Sequence, residues 1–133
     1  MKPTQQPLGQ QGFSLVELLV AITILSVGLF ALAQMQTIAM KSGTVAQKIT
    51  AATSLGQEAM EDILSWDPSN PALNTTAVSV VYANNVQVTG AGSFNITYAT
   101  TINTPAIGTT QIVVSVVGNG VQSVVITGYK RVV

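Results

Sequence analysis

Glu17 is a single carboxylate at the start of an apolar stretch. The following run without any charge extends from Leu18 to Met40, 23 residues. A lone carboxylate in lipid costs several kcal/mol, so it needs either a proton or a nearby cation. Cleavage of the peptide bond after Gly12 would give Phe13 a new α-amine one helical turn from Glu17, or level with Glu17 of a neighbouring copy. A cut at this bond would therefore supply the positive charge that Glu17 lacks.

The composition excludes several other kinds of chemistry. The absence of His and Cys removes zinc and haem ligation, thiolate nucleophiles, disulfides and His-based triads. Five basic and five acidic residues balance, so no basic field attracts nucleic acid. Between Pro68 and Tyr129 no residue is charged, which leaves only tyrosines for acid-base work. We therefore expect no enzyme, no cofactor and no metal site.

Composition and hydropathy divide the chain into four segments. The expected segments are a leader at 1–12, an apolar helix at 13–40, an amphipathic helix half at 41–67 and a β-rich head at 68–133. The charge-free run corresponds to about 35 Å of helix, which is enough to span a bilayer. Its apolar side chains occupy all sides of the helix, as contact with lipid or with other helices requires.

The second half of the predicted helix carries an apolar stripe at spacings of three and four residues. We expect this stripe to pack on a sheet through Ile38, Val45, Ile49, Ala52, Ala59 and Ile63. Pro68 and Pro71 should end the helix, because proline lacks the amide donor. Trp66 is expected to cover one end of the helix–sheet core.

In the remainder of the chain, apolar and polar residues alternate as they do in β-strands. Period-two stretches lie at 78–82, 86–89, 93–102, 111–117 and 121–133, the last interrupted at Gly128. Turns are expected at Asn84-Asn85, at 90–92 and at 118–120, with a looser connection around Pro105. These features predict an α+β fold, in which a long N-terminal helix packs on an antiparallel sheet of four or five strands.

The sequence Gly12-Phe13-Ser14-Leu15-Val16-Glu17, followed by an apolar helix, resembles the signal of type IV pilins and type II secretion pseudopilins. The resemblance implies cleavage after Gly12 by prepilin peptidase, N-methylation of Phe13, and pairing of Glu17 with a terminal amine during assembly. It also implies a long N-terminal helix packed on a sheet.

The same resemblance implies partners and location. The partners are other pilin subunits, prepilin peptidase, an inner-membrane assembly platform and, before assembly, membrane lipid. The chain is expected to cross the inner membrane once with its head in the periplasm, and to end in a cell-surface or periplasmic filament.

Two further features favour a minor pilin or pseudopilin. The segment from Ala51 to Glu61 is similar to the helix end of PilV-like minor pilins. Gln34 stands where many major pilins have a proline, and this chain cannot form their C-terminal disulfide. The resulting expectation is a subunit of a type IV pilus or of a related secretion or DNA-uptake filament.

Three alternatives stay open at this point. Ala31-Leu32-Ala33 fits the small-x-small rule of signal peptidase and would release a soluble, β-rich binding domain. A plain membrane anchor could hold Glu17 among the lipid headgroups. Glu58, Glu61 and Asp62 could share a cation, although a solvated helix face is the favoured interpretation.

Overall fold

The apolar stretch after Ser14 folds into one long helix. In the computed structural model, which describes residues 13–132, this helix is α1 (Leu15–Ser65). The Leu18 N–H donates to the Ser14 carbonyl at 3.1 Å, which places a serine at the favoured N-cap position. Pro68 and Pro71 follow the helix end and prevent its continuation.

The chain divides into two compact units at the boundary between Met40 and Lys41. The described part of the first unit is the beginning of α1 with the two residues that precede it. The second unit contains the rest of α1 and all the strands.

The second unit is built on an antiparallel sheet in which each strand pairs with the next. Its four strands lie in the order β1-β2-β3-β4. They are β1 (Ala77–Val88), β2 (Gly92–Ile102), β3 (Thr109–Gly118) and β4 (Val124–Arg131). The α+β prediction of a long helix packed on an antiparallel sheet is therefore confirmed, with four strands.

The prediction of a turn at Asn84-Asn85 is wrong. β1 continues through both residues, and the stretches at 78–82 and 86–89 belong to one strand. Asn85 does take a positive φ of 55°, but it does so where the pairing register shifts between Ala83 and Val86. A positive φ suits a bulge as well as a turn. Two adjacent asparagines in the sequence therefore do not show whether the chain turns or forms a bulge.

The core lies between the end of α1 and one face of the sheet. The helix buries Ala52, Gly56, Ala59, Met60 and Ile63. The central strands bury Phe94, Ile96, Tyr98, Thr100, Thr110, Ile112, Val114 and Val116. The approach is close, because a Cβ added to Gly56 would lie 2.8 Å from the Ile126 Cδ1. Small residues on the helix therefore set how near the sheet can come.

Two buried threonines fix the connection between the helix and the sheet. The Thr100 Oγ1 donates to the Thr75 carbonyl at 2.8 Å, and the Thr110 Oγ1 donates to the Leu73 carbonyl at 2.8 Å. Leu73 itself is fully buried in the core. The polar groups of these threonines are thus satisfied where water is excluded.

The last turn of α1 is held by side chains from the sheet. The Lys130 Nζ, on β4, donates to the carbonyls of Leu64, at 2.5 Å, and of Trp66. The helix has no basic residue in its own last turn, so this ammonium supplies both the hydrogen bonds and the positive charge that a helix C-terminus favours.

Asp62 forms a second connection at the same end of the helix. Its Oδ2 accepts from the Tyr82 hydroxyl at 2.9 Å and from the Trp66 Nε1 at 3.2 Å. Trp66 also contacts Tyr98 edge to face, with ring centroids 5.7 Å apart. Burial, and then the hydrogen bond to Asp62, raise the pKa of Tyr82.

Replacing Lys130 by methionine tests the helix cap. We expect Lys130→Met to lower the free energy of unfolding by about 2 kcal/mol, because charge-assisted hydrogen bonds to two carbonyls are lost. The measurement is urea unfolding of the full chain in mild detergent, followed by the fluorescence of Trp66, the single tryptophan. Lys48→Met is the matched control, since the Lys48 Nζ donates to one carbonyl, that of Asn119, at 3.0 Å. Equal losses for the two variants would contradict a special role for Lys130.

Gly118→Ala tests the fit between β2 and β3. Gly118 pairs with Phe94, and an added Cβ would lie 2.5 Å from the Phe94 Cε1. Because that ring is buried and rigid, we expect a loss of about 1–3 kcal/mol in the same unfolding measurement. Gly43→Ala is the control, since its added Cβ meets nothing within 4 Å. An unchanged unfolding midpoint for Gly118→Ala would refute the tight contact.

Candidate assembly site at the start of the helix

The start of α1 places Phe13 and Glu17 within one helical turn of each other. Phe13 lies just before the helix and is 85% exposed. Glu17 lies in the first turn and is also exposed. Gly12, the residue before the expected cleavage bond, lies outside the described residues, as does the whole expected leader at 1–12.

Glu17 is the only charged residue in the sequence from 13 to 40. Large apolar side chains surround it on the exposed helix, among them Leu15, Val16, Leu18 and Leu19, which are between 56% and 74% exposed. By length and composition α1 could cross a membrane. A carboxylate in this position has apolar neighbours of its own chain and must find its counter-charge elsewhere.

The hydroxyl groups within the apolar part of the helix are satisfied by the helix itself. The Thr23 Oγ1 donates to the Val20 carbonyl at 2.8 Å, and the Ser26 Oγ donates to the Ile22 carbonyl at 2.7 Å. Thr37 makes the same kind of bond to its own helix. These side chains therefore present little unsatisfied polarity to lipid or to a neighbouring helix.

Ser14 and Glu17 also form a local sequence pattern that sequence reasoning missed. Ser14 occupies the N-cap and Glu17 follows three residues later, which is the spacing of a capping box. A carboxylate in the first turn also interacts favourably with the positive end of the helix dipole, whereas an ammonium there is disfavoured. Glu17 would therefore offset the repulsion that a new amine on Phe13 meets at this helix end. The Ser-x-x-Glu pattern was the signal that could have revealed this.

The residues expected to pack on the sheet fall into two groups. Ala52, Ala59 and Ile63 are buried in the core. Val45 and Ile49, in the second unit, are 43% and 45% exposed, so for these two the expectation of packing on the sheet is not met. Ile38 is 64% exposed and lies in the first unit. The physical reason is that the apolar stripe extends further along the helix than the part that the sheet buries, whose buried helix residues begin at Ala52.

The acidic helix face of Glu58, Glu61 and Asp62 does not form a metal site in the described part of the chain. Among residues 13–132, no group of three or more Asp and Glu side chains could hold a metal ion together. Asp62 instead accepts hydrogen bonds from Tyr82 and Trp66.

Comparison with known proteins adds one finding. Residues 8–33 match the family described as the prokaryotic N-terminal methylation motif. No curated protein and no solved structure gives a significant match to the chain. The matched residues include Gly12, Phe13 and Glu17, and they end within the apolar part of α1. The chain therefore carries a prokaryotic N-terminal methylation motif, which supports its similarity to type IV pilin-like proteins.

Proposed function

We propose that this protein is a minor pilin or pseudopilin, a structural subunit of a type IV pilus or a related secretion or DNA-uptake filament. The observation that carries the proposal is the position of Glu17. It is the one charge in residues 13–40, and it lies one turn from Phe13, the residue that we propose begins the mature chain; both residues fall within the matched motif.

Processing would create the charge that Glu17 lacks. Hydrolysis of the peptide bond after Gly12 leaves a carboxylate on the leader and an amine on Phe13, which takes up a proton. Methylation of that amine keeps it cationic. The mature helix would then begin with a positive charge and carry a negative charge in its first turn.

The apolar surface of the helix supports two successive environments. Before assembly, lipid covers the side chains of residues 15–40, with the head in the periplasm. In the filament, the helices of other pilin subunits replace the lipid after extraction by the assembly platform. Both environments have a low dielectric, so an ion pair there is costly to break.

Pairing between copies would select the register of assembly. When the Glu17 carboxylate of one subunit meets the Phe13 amine of the next, both charges are neutralised. A subunit in the wrong register leaves two charges unpaired in an apolar surrounding, and this penalty disfavours it. Function on this proposal is packing, and the chain catalyses no reaction.

Gly12→Ala tests processing. We expect the wild-type protein to lose twelve residues and to begin at Phe13, and the variant to retain its leader. Intact mass and N-terminal sequencing of the membrane fraction measure both. Gly9→Ala is the control within the same leader and should be processed normally. A mature chain that starts after Ala33 would instead support signal peptidase and a secreted β-rich domain.

Glu17→Ala tests the register role. We expect a stable membrane protein whose share in sheared filaments falls at least about tenfold, which corresponds to about 1.4 kcal/mol or more of lost contact energy. Quantitative immunoblots of filament and membrane fractions give the ratio. Glu61→Ala, which removes an exposed acid from the second unit, should assemble normally. Normal incorporation of Glu17→Ala would refute the role given to this carboxylate.

A further inference from the structure

A cleft lies between α1 and the edge strand β1. Its volume is about 180 Å³. It is lined by Leu55, Glu58, Ala59, Tyr82, Ala83, Val86 and Ile96. β1 departs from regular pairing on both sides of Ala83, so the strand is irregular where it borders this gap. The lining is apolar except for one carboxylate and one phenol hydroxyl.

One charged residue, Glu58, lines the cleft. Glu58 is exposed, and within the described part of the chain it has no hydrogen-bond partner. Asp62 lies one helical turn further and accepts from the Tyr82 hydroxyl. The two carboxylates both contribute to the raised pKa of Tyr82, so their field acts at this point. An apolar cleft with one carboxylate in its lining and a second one helical turn away fits a cation on an aliphatic stem, which is a lysine side chain.

Each basic side chain near the head either donates a hydrogen bond within the chain or lies far from the cleft. The Lys48 Nζ donates to the Asn119 carbonyl, and the Lys130 Nζ donates to the end of the helix. Arg131 is on β4, at the opposite edge of the sheet from β1. These three described residues therefore do not supply the cation for the cleft.

Lys41 differs from these three residues. Its side chain is exposed, and the structure of residues 13–132 gives it no partner. It precedes Glu58 by 17 residues on the same helix, a distance of about 26 Å at the helical rise. This is several times the length of a lysine side chain, so Lys41 cannot reach Glu58 of its own chain.

We propose that the cleft receives the Lys41 side chain of a second copy of this chain. The aliphatic stem would lie against Leu55 and Ala59, and the ammonium would meet the Glu58 carboxylate. This inference rests on the proposed function, in which copies lie side by side with parallel helices. The two helices would then be offset by about 26 Å along their axes, so this contact joins a copy to a more distant neighbour than the one whose Phe13 amine pairs with its Glu17.

The opposite charges argue for a second copy as the occupant. Each copy offers one lysine and one cleft at different heights on the same helix, so the contact joins two different surfaces. A contact of this kind leaves a free lysine at one end and a free cleft at the other, and it continues into a filament when the rotation does not close. A matched pair of charges also disfavours neighbours at the wrong height.

Cross-linking between differently tagged copies tests the contact directly. The chain has no cysteine, so Lys41→Cys in one copy and Glu58→Cys in the other provide the only thiols. We expect a short bis-maleimide to join them in filaments. Gln57→Cys is the matched control, because it is exposed at the same level of the helix but does not line the cleft. Equal cross-linking through positions 57 and 58, or none through 58, would overturn the proposal.

Charge exchange gives an independent measurement. We expect Lys41→Glu and Glu58→Lys each to lower incorporation into filaments at least about tenfold, because like charges then meet. The double variant, which exchanges the two charges, should recover most of the wild-type level. Trp66 fluorescence in detergent checks that each variant keeps its folded head. Failure of the double variant to recover would mean that the lysine belongs to a different protein, or that no such contact exists.

The same preparations separate this proposal from the proposed function. If the wild-type chain is absent from filaments, both proposals fall. If the wild type is processed and incorporated, and the single charge reversals are incorporated equally well, only the Lys41 contact is refuted.

Discussion

A helix that exposes apolar side chains on every side has to be covered, and a carboxylate within it has to be neutralised. α1 imposes both conditions between Leu15 and Met40, where the large apolar side chains are exposed and Glu17 carries the one charge. Lipid or other helices meet the first condition. On the proposed function, the second would be met by the amine that cleavage after Gly12 creates on Phe13. The match to the methylation motif, at residues 8–33, includes Glu17 and the first part of this apolar stretch.

The same helix meets a different environment after Met40. From Ala52 onward it buries small residues against the sheet, and Gly56 allows the close approach to β3 and β4. Close packing of this kind gives a rigid head, because a single added carbon has no free volume to occupy. The hydrogen bonds of Lys130 and Asp62 hold the end of the helix in place. One element thus exposes apolar side chains in one unit and forms part of a core in the other.

Local patterns predicted the helix, the antiparallel sheet and the position of Glu17, because each depends on the spacing of neighbouring residues. They failed where contacts between distant residues decide the outcome. Asn85 could form a turn or a bulge, and only the pairing of Ala83 and Val86 with β2, on either side of it, decides between them. Val45 and Ile49 continue the apolar stripe, but the extent of sheet burial is not encoded in the stripe. The contact of Lys130 with a carbonyl 66 residues earlier has no local signal.

The order of synthesis gives the closing strand a special position. The helix residues of the core are made first, whereas β4, with Ile126 and Lys130, is made after the other strands. The hairpin of β2 and β3 needs only nearby residues and can form early. The carbonyls of Leu64 and Trp66 stay uncapped until Lys130 arrives. The last strand of the sheet and the cap on the helix end therefore form late, after the apolar part of α1 has been synthesised.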